Sequence, residues 1–204
     1  MRINTNTCVQ GDLVVLVPYR KEHVPRYHEW MQDPHLQETT ASEPLTMDEE
    51  YEMQRSWAED EDKLTFIILD RSKPDTPGTG SHGGGMAGDV NLFFTIDEED
   101  GGREAAEIEV MIAEQASRGK GLAKEALRLL MAYASRELGV KRYIAKIHEV
   151  NGPSRRLFEG LGFTEFRRVP VFGEVHYGLS VGGEAGAQLR ELQDGLTCAS
   201  YDAS

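Results

Sequence analysis

The sequence predicts an α/β domain, and two observations carry that prediction. Segments of period-two and of 3.6-residue hydrophobicity interleave along the 204 residues in the order β-α-α-β-β-β-α-β-α-β-β. One strand also runs into a basic, glycine-containing turn, Arg118-Gly119-Lys120-Gly121, that opens a long amphipathic helix. At this length the chain is expected to form one domain over residues 1–183, with a core that needs no disulfide or metal. Residues 184–204 are expected to add a C-terminal helix and a disordered tail.

Leu13 to Val17 is a continuous apolar run ended by Pro18, which reads as the first strand. Arg20 to Gln32 follows as a helix with Val24, Tyr27 and Met31 on one face, stopped by Asp33-Pro34. The segment from Thr39 to Pro44 is a polar connector. Thr46-Met47-Asp48-Glu49 is a capping-box signature, launching a second helix with Met47, Tyr51, Gln54 and Ala58 on one side. Leu64 to Leu69 is the second strand, and Arg71 to Gly85, rich in Pro, Gly, Ser and Asp, is a flexible surface loop.

Val90, Leu92, Phe94 and Ile96 alternate with more polar neighbours, so Ala87 to Ile96 is a strand with one apolar face. Asp97 to Gly102 is its hairpin tip and Ala105 to Ala113 the returning strand. The helix from Leu122 turns Ala126, Leu129, Leu130, Tyr133, Ala134 and Leu138 inward until Gly139 ends it. Arg142 to His148 is a strand, and Asn151-Gly152-Pro153-Ser154 starts a short helix with proline in its first turn. Phe163 to Pro170 and Phe172 to Val181 are the last two strands, Glu184 to Asp194 a helix, and Gly195 to Ser204 the tail.

The formal net charge of −13 excludes a general affinity for nucleic acid or anionic membrane, both of which need a basic face. Acidic residues concentrate at Asp48 to Glu52, Glu59 to Asp62 and Asp97 to Asp100. They read as a solvated helix face and a hairpin tip, or as a rim that attracts cationic amines. Cys8 and Cys198 have no metal-ligand spacing, and the six histidines form no zinc pair, so no metal is expected. With no apolar signal core and no run of bilayer length, a soluble cytoplasmic protein with free thiols is expected.

The turn at Arg118 is a place for a pyrophosphate. Amides at a helix N-terminus lack intrahelical partners and the helix dipole favours an anion there. Gly119 and Gly121 permit a left-handed path with no Cβ in the way, while Arg118, Lys120, Lys124 and Arg128 add positive charge against the acidic background. The same turn also fits an ordinary strand-to-helix connection. Its pattern R-x-x-G-x-[GA], from Arg118 to Ala123, resembles the GNAT superfamily of acetyl-CoA-dependent N-acetyltransferases. A second block, Asn151-x-x-Ser154-x-x-Leu157-Phe158 running to Gly162-Phe163, resembles the one that closes the CoA site in that superfamily.

The resemblance implies the GNAT fold, a mixed, mostly antiparallel twisted sheet of about seven strands flanked by about four helices. It implies acetyl-CoA as cofactor, held by the backbone of Met111, Ile112 and Ala113 on a bulged strand, by the turn Arg118, Gly119, Lys120, Gly121, Leu122, Ala123 and Lys124, and by Asn151, Ser154 and Phe158. It also implies a glutamate general base on the strand before the turn. Glu107 and Glu109 share one face of that strand, roughly 7 Å apart, and two such carboxylates repel, which raises one towards the range a base needs. Glu109, nearer the expected thioester, is preferred. Many members protonate the leaving thiolate with a tyrosine where this chain has Phe158, leaving Tyr177, Tyr143, Ser154 or water for that role.

Thr40 to Thr46, with Glu50-Tyr51-x-Met53-Gln54-x-Ser56-Trp57, resembles the alpha/beta-tubulin N-acetyltransferase branch, as do Val14 to Tyr19, Arg26 to Met31, Gly88 to Phe93 and Glu107 to Glu114. That likeness implies acetylation of a protein N-terminal α-amine, with tubulin chains as acceptor. A small cationic amine as acceptor, or a cofactor-binding or microtubule-associated protein without catalysis, are the alternatives.

Overall fold

The computed structural model describes residues 2–75, 79, 82–94, 104–184 and 186–201. In chain order these form β1 (Thr7–Gln10), β2 (Val14–Pro18), α1 (Val24–Trp30), α2 (Pro34–Thr39), α3 (Met47–Glu59), β3 (Lys63–Asp70), β4 (Gly85–Phe94), β5 (Ala105–Ile112), α4 (Leu122–Leu138), β6 (Arg142–His148), α5 (Gly152–Glu159), β7 (Thr164–Val169), β8 (Glu174–Ser180), α6 (Ala187–Gly195) and β9 (Thr197–Ser200). The described residues thus hold nine strands and six α-helices where the sequence suggests about seven and about four. Two compact units divide the chain, one of residues 1–91, 110–126 and 197–204, the other of residues 92–109 and 127–196.

In the first unit the strands run β9-β1-β2-β3-β4. Val15 and Val17 of β2 pack with Ile67 and Leu69 of β3 and with Tyr27 and Trp30 of α1. The chain after Gly195, expected to be disordered, instead supplies β9, antiparallel to β1 from Thr7↔Ser200 to Gln10↔Thr197. Thr-Cys-Ala-Ser has no hydrophobic pattern, because this edge strand is held through its backbone and through Tyr201, which is buried with its hydroxyl 3.2 Å from His23 Nε2. The polar connector also gains a helix. Asp33 accepts from the His35 amide and Pro34 occupies the first turn, so the dipeptide that ends α1 starts α2.

The capping box at Thr46 and Glu49 forms in both directions. The buried face of α3 is Glu50 and Gln54, however, and Met47 is exposed. Gln54 donates to the Tyr19 carbonyl at 3.0 Å and Glu50 faces His28 at 3.7 Å, so polar partners join Tyr51, Met53 and Trp57, which pack partly buried against the core, in setting the orientation of this helix. Glu50 therefore leaves the solvated acidic run. β4 is buried on both faces, not one, because Asp89 and Asn91 are satisfied internally. Asn91 donates to Asp89 at 2.9 Å and accepts from Thr65 at 2.7 Å. Thr95, Ile96 and the tip 97–102 lie outside the described residues.

In the second unit the order is β7-β8-β6-β5. β6 pairs antiparallel with β8 from Arg142↔Ser180 to His148↔Glu174, and parallel with β5, which makes the sheet mixed. α4 ends before Gly139, whose φ of 71° is the left-handed conformation of a helix stop. α5 is capped by Asn151, whose side chain accepts from the Ser154 amide.

Candidate active site

In the second unit β5 parts from β6. Their pairing runs only from Ala105↔Arg142 to Glu107↔Ile144, although both strands continue, and β6 keeps β8 as its partner to His148. Burial along β5 changes phase at the same place. Ile108 and Met111, three apart instead of two, are both buried, while Glu109 between them is exposed. A strand slips phase this way when it carries one extra residue, as at a bulge. The backbone beyond Glu107 is thereby released from the ladder on that side, and Met111, Ile112 and Ala113 follow directly.

On its other side β5 is held tightly. In the first unit a Cβ at Gly88 of β4 would lie 1.9 Å from the Met111 carbonyl oxygen, so only glycine lets the two backbones approach this closely. The Glu114 amide donates to the Ala87 carbonyl at 3.1 Å. The Glu114 carboxylate then accepts from Trp30 Nε1 at 2.7 Å and Lys73 Nζ at 3.0 Å, and pairs with Arg26. Burial pushes its pKa up, but the Trp30, Lys73 and Arg26 donors outweigh burial and hold it below the usual carboxylate value.

The turn is exposed from Arg118 to Gly121, with Gly119 at φ 73° and Gly121 at φ 87°. Around Gly119 a Cβ would meet nothing within 4 Å, so its glycine answers to conformation and the space beside it is open to a ligand. Arg118, expected to face the anion, folds back instead. Its Nε donates to the Ile112 carbonyl at 2.9 Å and its Nη2 to the Ala113 carbonyl at 3.2 Å, at the end of β5. Lys120 Nζ lies 3.6 Å from Asp70 and 3.3 Å from Ser72 Oγ. Leu122 is buried, Ala123 half-buried and Lys124 exposed. The Gly119 space, the two left-handed glycines and the nearby ammonium groups fit a pyrophosphate.

Sequence reasoning misses what braces this turn. Glu125, in the first turn of α4, accepts from the amides of Asp12 at 3.1 Å, Leu13 at 2.7 Å and Val14 at 2.8 Å, tying the β1–β2 turn to the helix. Asp70 closes β3 and accepts from Ser117 Oγ at 2.7 Å and from Ser72. The only signal available was Asp-x-Ser at a strand end, which reads as a turn.

In the second unit Glu107 and Glu109 differ. Lys146 Nζ stands 2.6 Å from Glu107, whose side chain is 15% exposed, while Glu109 is exposed. Two candidate acids have committed protons. The buried Tyr143 hydroxyl donates to the Met131 carbonyl at 2.7 Å, and burial raises its pKa well above the usual value, with Ser135 lowering it only in part. Tyr177 donates to Glu159 at 3.0 Å and accepts from Arg155 at 2.9 Å. Phe158 is buried edge-on against Phe163, 5.0 Å between centroids. Ser154 lends its amide to the Asn151 cap at 3.1 Å. Among the described residues no group of His, Cys, Asp or Glu could hold a metal ion.

A cleft of about 830 Å³ lies in the first unit at the far end of β2 from the turn. Tyr19, Tyr51 and Trp57 line it, and Lys63 Nζ stands 3.2 Å over the Trp57 ring. Its charged lining is balanced, with Arg20, Lys21 and Arg55 against Glu22, Asp48 and Glu52.

The family model described as the acetyltransferase (GNAT) domain matches residues 14–164. The chain is 52% identical over 175 residues to an N-acetyltransferase 9-like protein of Nematostella vectensis, covering 86% of each. It is 50% identical over 182 residues to the Homo sapiens alpha/beta-tubulin-N-acetyltransferase 9, covering 89% of this chain and 86% of that one. Among solved structures it resembles spermidine N-acetyltransferase from Vibrio cholerae in complex with CoA and spermine, with a TM-score of 0.66 over 83% of this chain and 96% of that one. At 16% identity that last likeness shows the fold alone.

Proposed function

The chain belongs to the GNAT acetyltransferase family, acetyl-CoA-dependent acyltransferases, and from that premise we propose that it acetylates the N-terminal α-amine of a polypeptide, tubulin chains in particular. The observation that carries the catalytic part is the parting of β5 from β6 after Glu107, beside an exposed Glu109. The acceptor comes from the relatives, two of which, at 50% identity, bear the name alpha/beta-tubulin-N-acetyltransferase 9.

Acetyl-CoA, when bound, supplies the acetyl thioester. The turn from Arg118 to Lys124 would hold its pyrophosphate through backbone amides and the Lys120 charge, and Asn151, Ser154 and Phe158 are proposed as further cofactor contacts from the second unit. Glu109 takes the proton of the acceptor ammonium, directly or through water, so that the amine lone pair is free. An α-amine, with a pKa of about 7.7–8.0, needs only a modest base, whereas lysine at about 10.4 needs a stronger one. Amides of Met111, Ile112 and Ala113 donate to the negative charge that develops on the carbonyl oxygen. With the protons of Tyr143 and Tyr177 held by Met131 and Glu159, Ser154 or water would supply the proton that the departing thiolate needs.

We place the reaction in the cytoplasm, where the thiols of Cys8 and Cys198 stay reduced. No helix among the described residues is long and apolar enough to cross a membrane. Thiol release from acetyl-CoA, measured with a tubulin N-terminal peptide and with spermidine at equal concentration, tests the acceptor class. Turnover on the peptide is expected, and turnover on spermidine alone rejects the reading.

A further inference from the structure

We propose that Asp70 is a positioning residue for the anion-binding turn, holding Ser117 and Lys120 in place before acetyl-CoA arrives. The proposal rests on the reading that the turn from Arg118 to Lys124 takes the cofactor's pyrophosphate. Asp70 ends β3 at 1% exposure. One of its oxygens accepts from Ser117 Oγ at 2.7 Å and faces Lys120 Nζ at 3.6 Å. The other accepts from the Ser72 amide at 2.9 Å and from Ser72 Oγ at 2.6 Å. Lys120 itself donates to Ser72 Oγ at 3.3 Å, closing the network. Ser117, also 1% exposed, is the last residue before the turn. Three donors and one ammonium thus converge on a single buried carboxylate, and two of those partners flank or belong to the turn.

A fixed negative charge beside an anion site is unfavourable for the anion by Coulomb's law. Its presence is explained when the order it imposes outweighs that repulsion, because donors fixed in advance bind without the entropy cost of ordering them. The two effects have opposite signs, which makes the proposal decidable. Replacing Asp70 by Asn preserves shape and removes the charge. Simple electrostatics then predicts tighter binding of the anion, and positioning predicts weaker binding.

The experiment is calorimetric titration of the full chain with acetyl-CoA, for wild type, Asp70→Asn, Lys120→Met and the double variant, with thermal melts as fold controls. The expected result is about tenfold weaker binding for each single variant and a double variant little weaker than either, since both remove one arrangement. For Asp70→Asn the loss is expected in KM for acetyl-CoA and not in kcat, the split that a purely positioning role gives. Tighter or unchanged binding in a folded Asp70→Asn overturns the proposal. Should Asp70→Asn fail to fold, Ser117→Ala removes a single bond of the network, and unchanged binding there overturns it equally. Unchanged affinity in Lys120→Met would overturn the part of the proposal in which Asp70 acts through Lys120, whereas a wild-type chain that fails to bind acetyl-CoA at all would reject the reading beneath it.

Discussion

Lys146 Nζ lies 2.6 Å from the carboxylate of Glu107, two residues before Glu109 on the same strand. Glu107 thus has a counter-charge in direct contact with one of its oxygens. Glu109→Gln should lower kcat about 100-fold or more, the range of a lost general base. Glu107→Gln should lower it by less than about tenfold, since its loss removes a neighbour and not the base. Steady-state kinetics on one peptide decides between them, and the reverse ranking would transfer the role to Glu107.

Gly88 and the Met111 carbonyl fix how closely β4 and β5 approach. Gly88→Ala places a methyl 1.9 Å from that oxygen, where backbone on both sides must give way. A loss of about 3 kcal/mol or more in denaturant unfolding is expected, at the upper end for overpacking. A variant as stable as wild type would mean that β4 and β5 are less tightly apposed.

Glu114 predicts an acid limb of stability. Its pKa is held down by Trp30, Lys73 and Arg26 against the opposing effect of burial. A carboxyl depressed in the folded state stabilises above its unfolded pKa of about 4.3 and loses that contribution as pH falls through the folded value. Glu114→Gln should therefore be about 1–3 kcal/mol less stable at pH 7, with the deficit shrinking between about pH 5 and pH 3. Melting curves across that range check it, and a deficit that stays constant with pH would assign the loss to packing.

Tyr143 and Tyr177 carry hydroxyls that serve structure. Tyr143→Phe removes the hydroxyl bonds to the Met131 carbonyl and Ser135 Oγ, and Tyr177→Phe leaves Glu159 and Arg155 without their bridge. Each should cost about 1–2 kcal/mol of stability and leave kcat within about threefold of wild type. A 100-fold fall in kcat for either would identify it as the acid that protonates the thiolate.

Much of the element order was legible because hydrophobic period and caps act locally. Thr46 with Glu49, Asn151, Pro153 and Gly139 mark helix ends through bonds within four residues, so a linear reading finds them. β9 was not legible, because its pairing with β1 joins residues about 190 apart through backbone groups that every sequence has. The same holds at the turn. Its glycines and lysines are contiguous and readable, whereas the contacts of Glu125 with Leu13 and of Asp70 with Ser117 span 112 and 47 residues. Arg118 reads as a phosphate ligand by charge alone, and only the carbonyls of Ile112 and Ala113 reveal where its donors go. Glu50, in a run of acids, reads as solvated until His28 appears opposite it.

The central claim is that the acetyl group goes to the N-terminal α-amine of a polypeptide. It is tested most directly by incubating the purified chain with acetyl-CoA and two tubulin peptides, one with a free N-terminus and one blocked, both retaining a lysine, and locating the added 42 Da (about one acetyl group for one hydrogen) by tandem mass spectrometry. The account predicts the label on the α-amine of the free peptide alone, and its loss in Glu109→Gln. Label on the lysine of both peptides, or on neither while acetyl-CoA still binds, would contradict it.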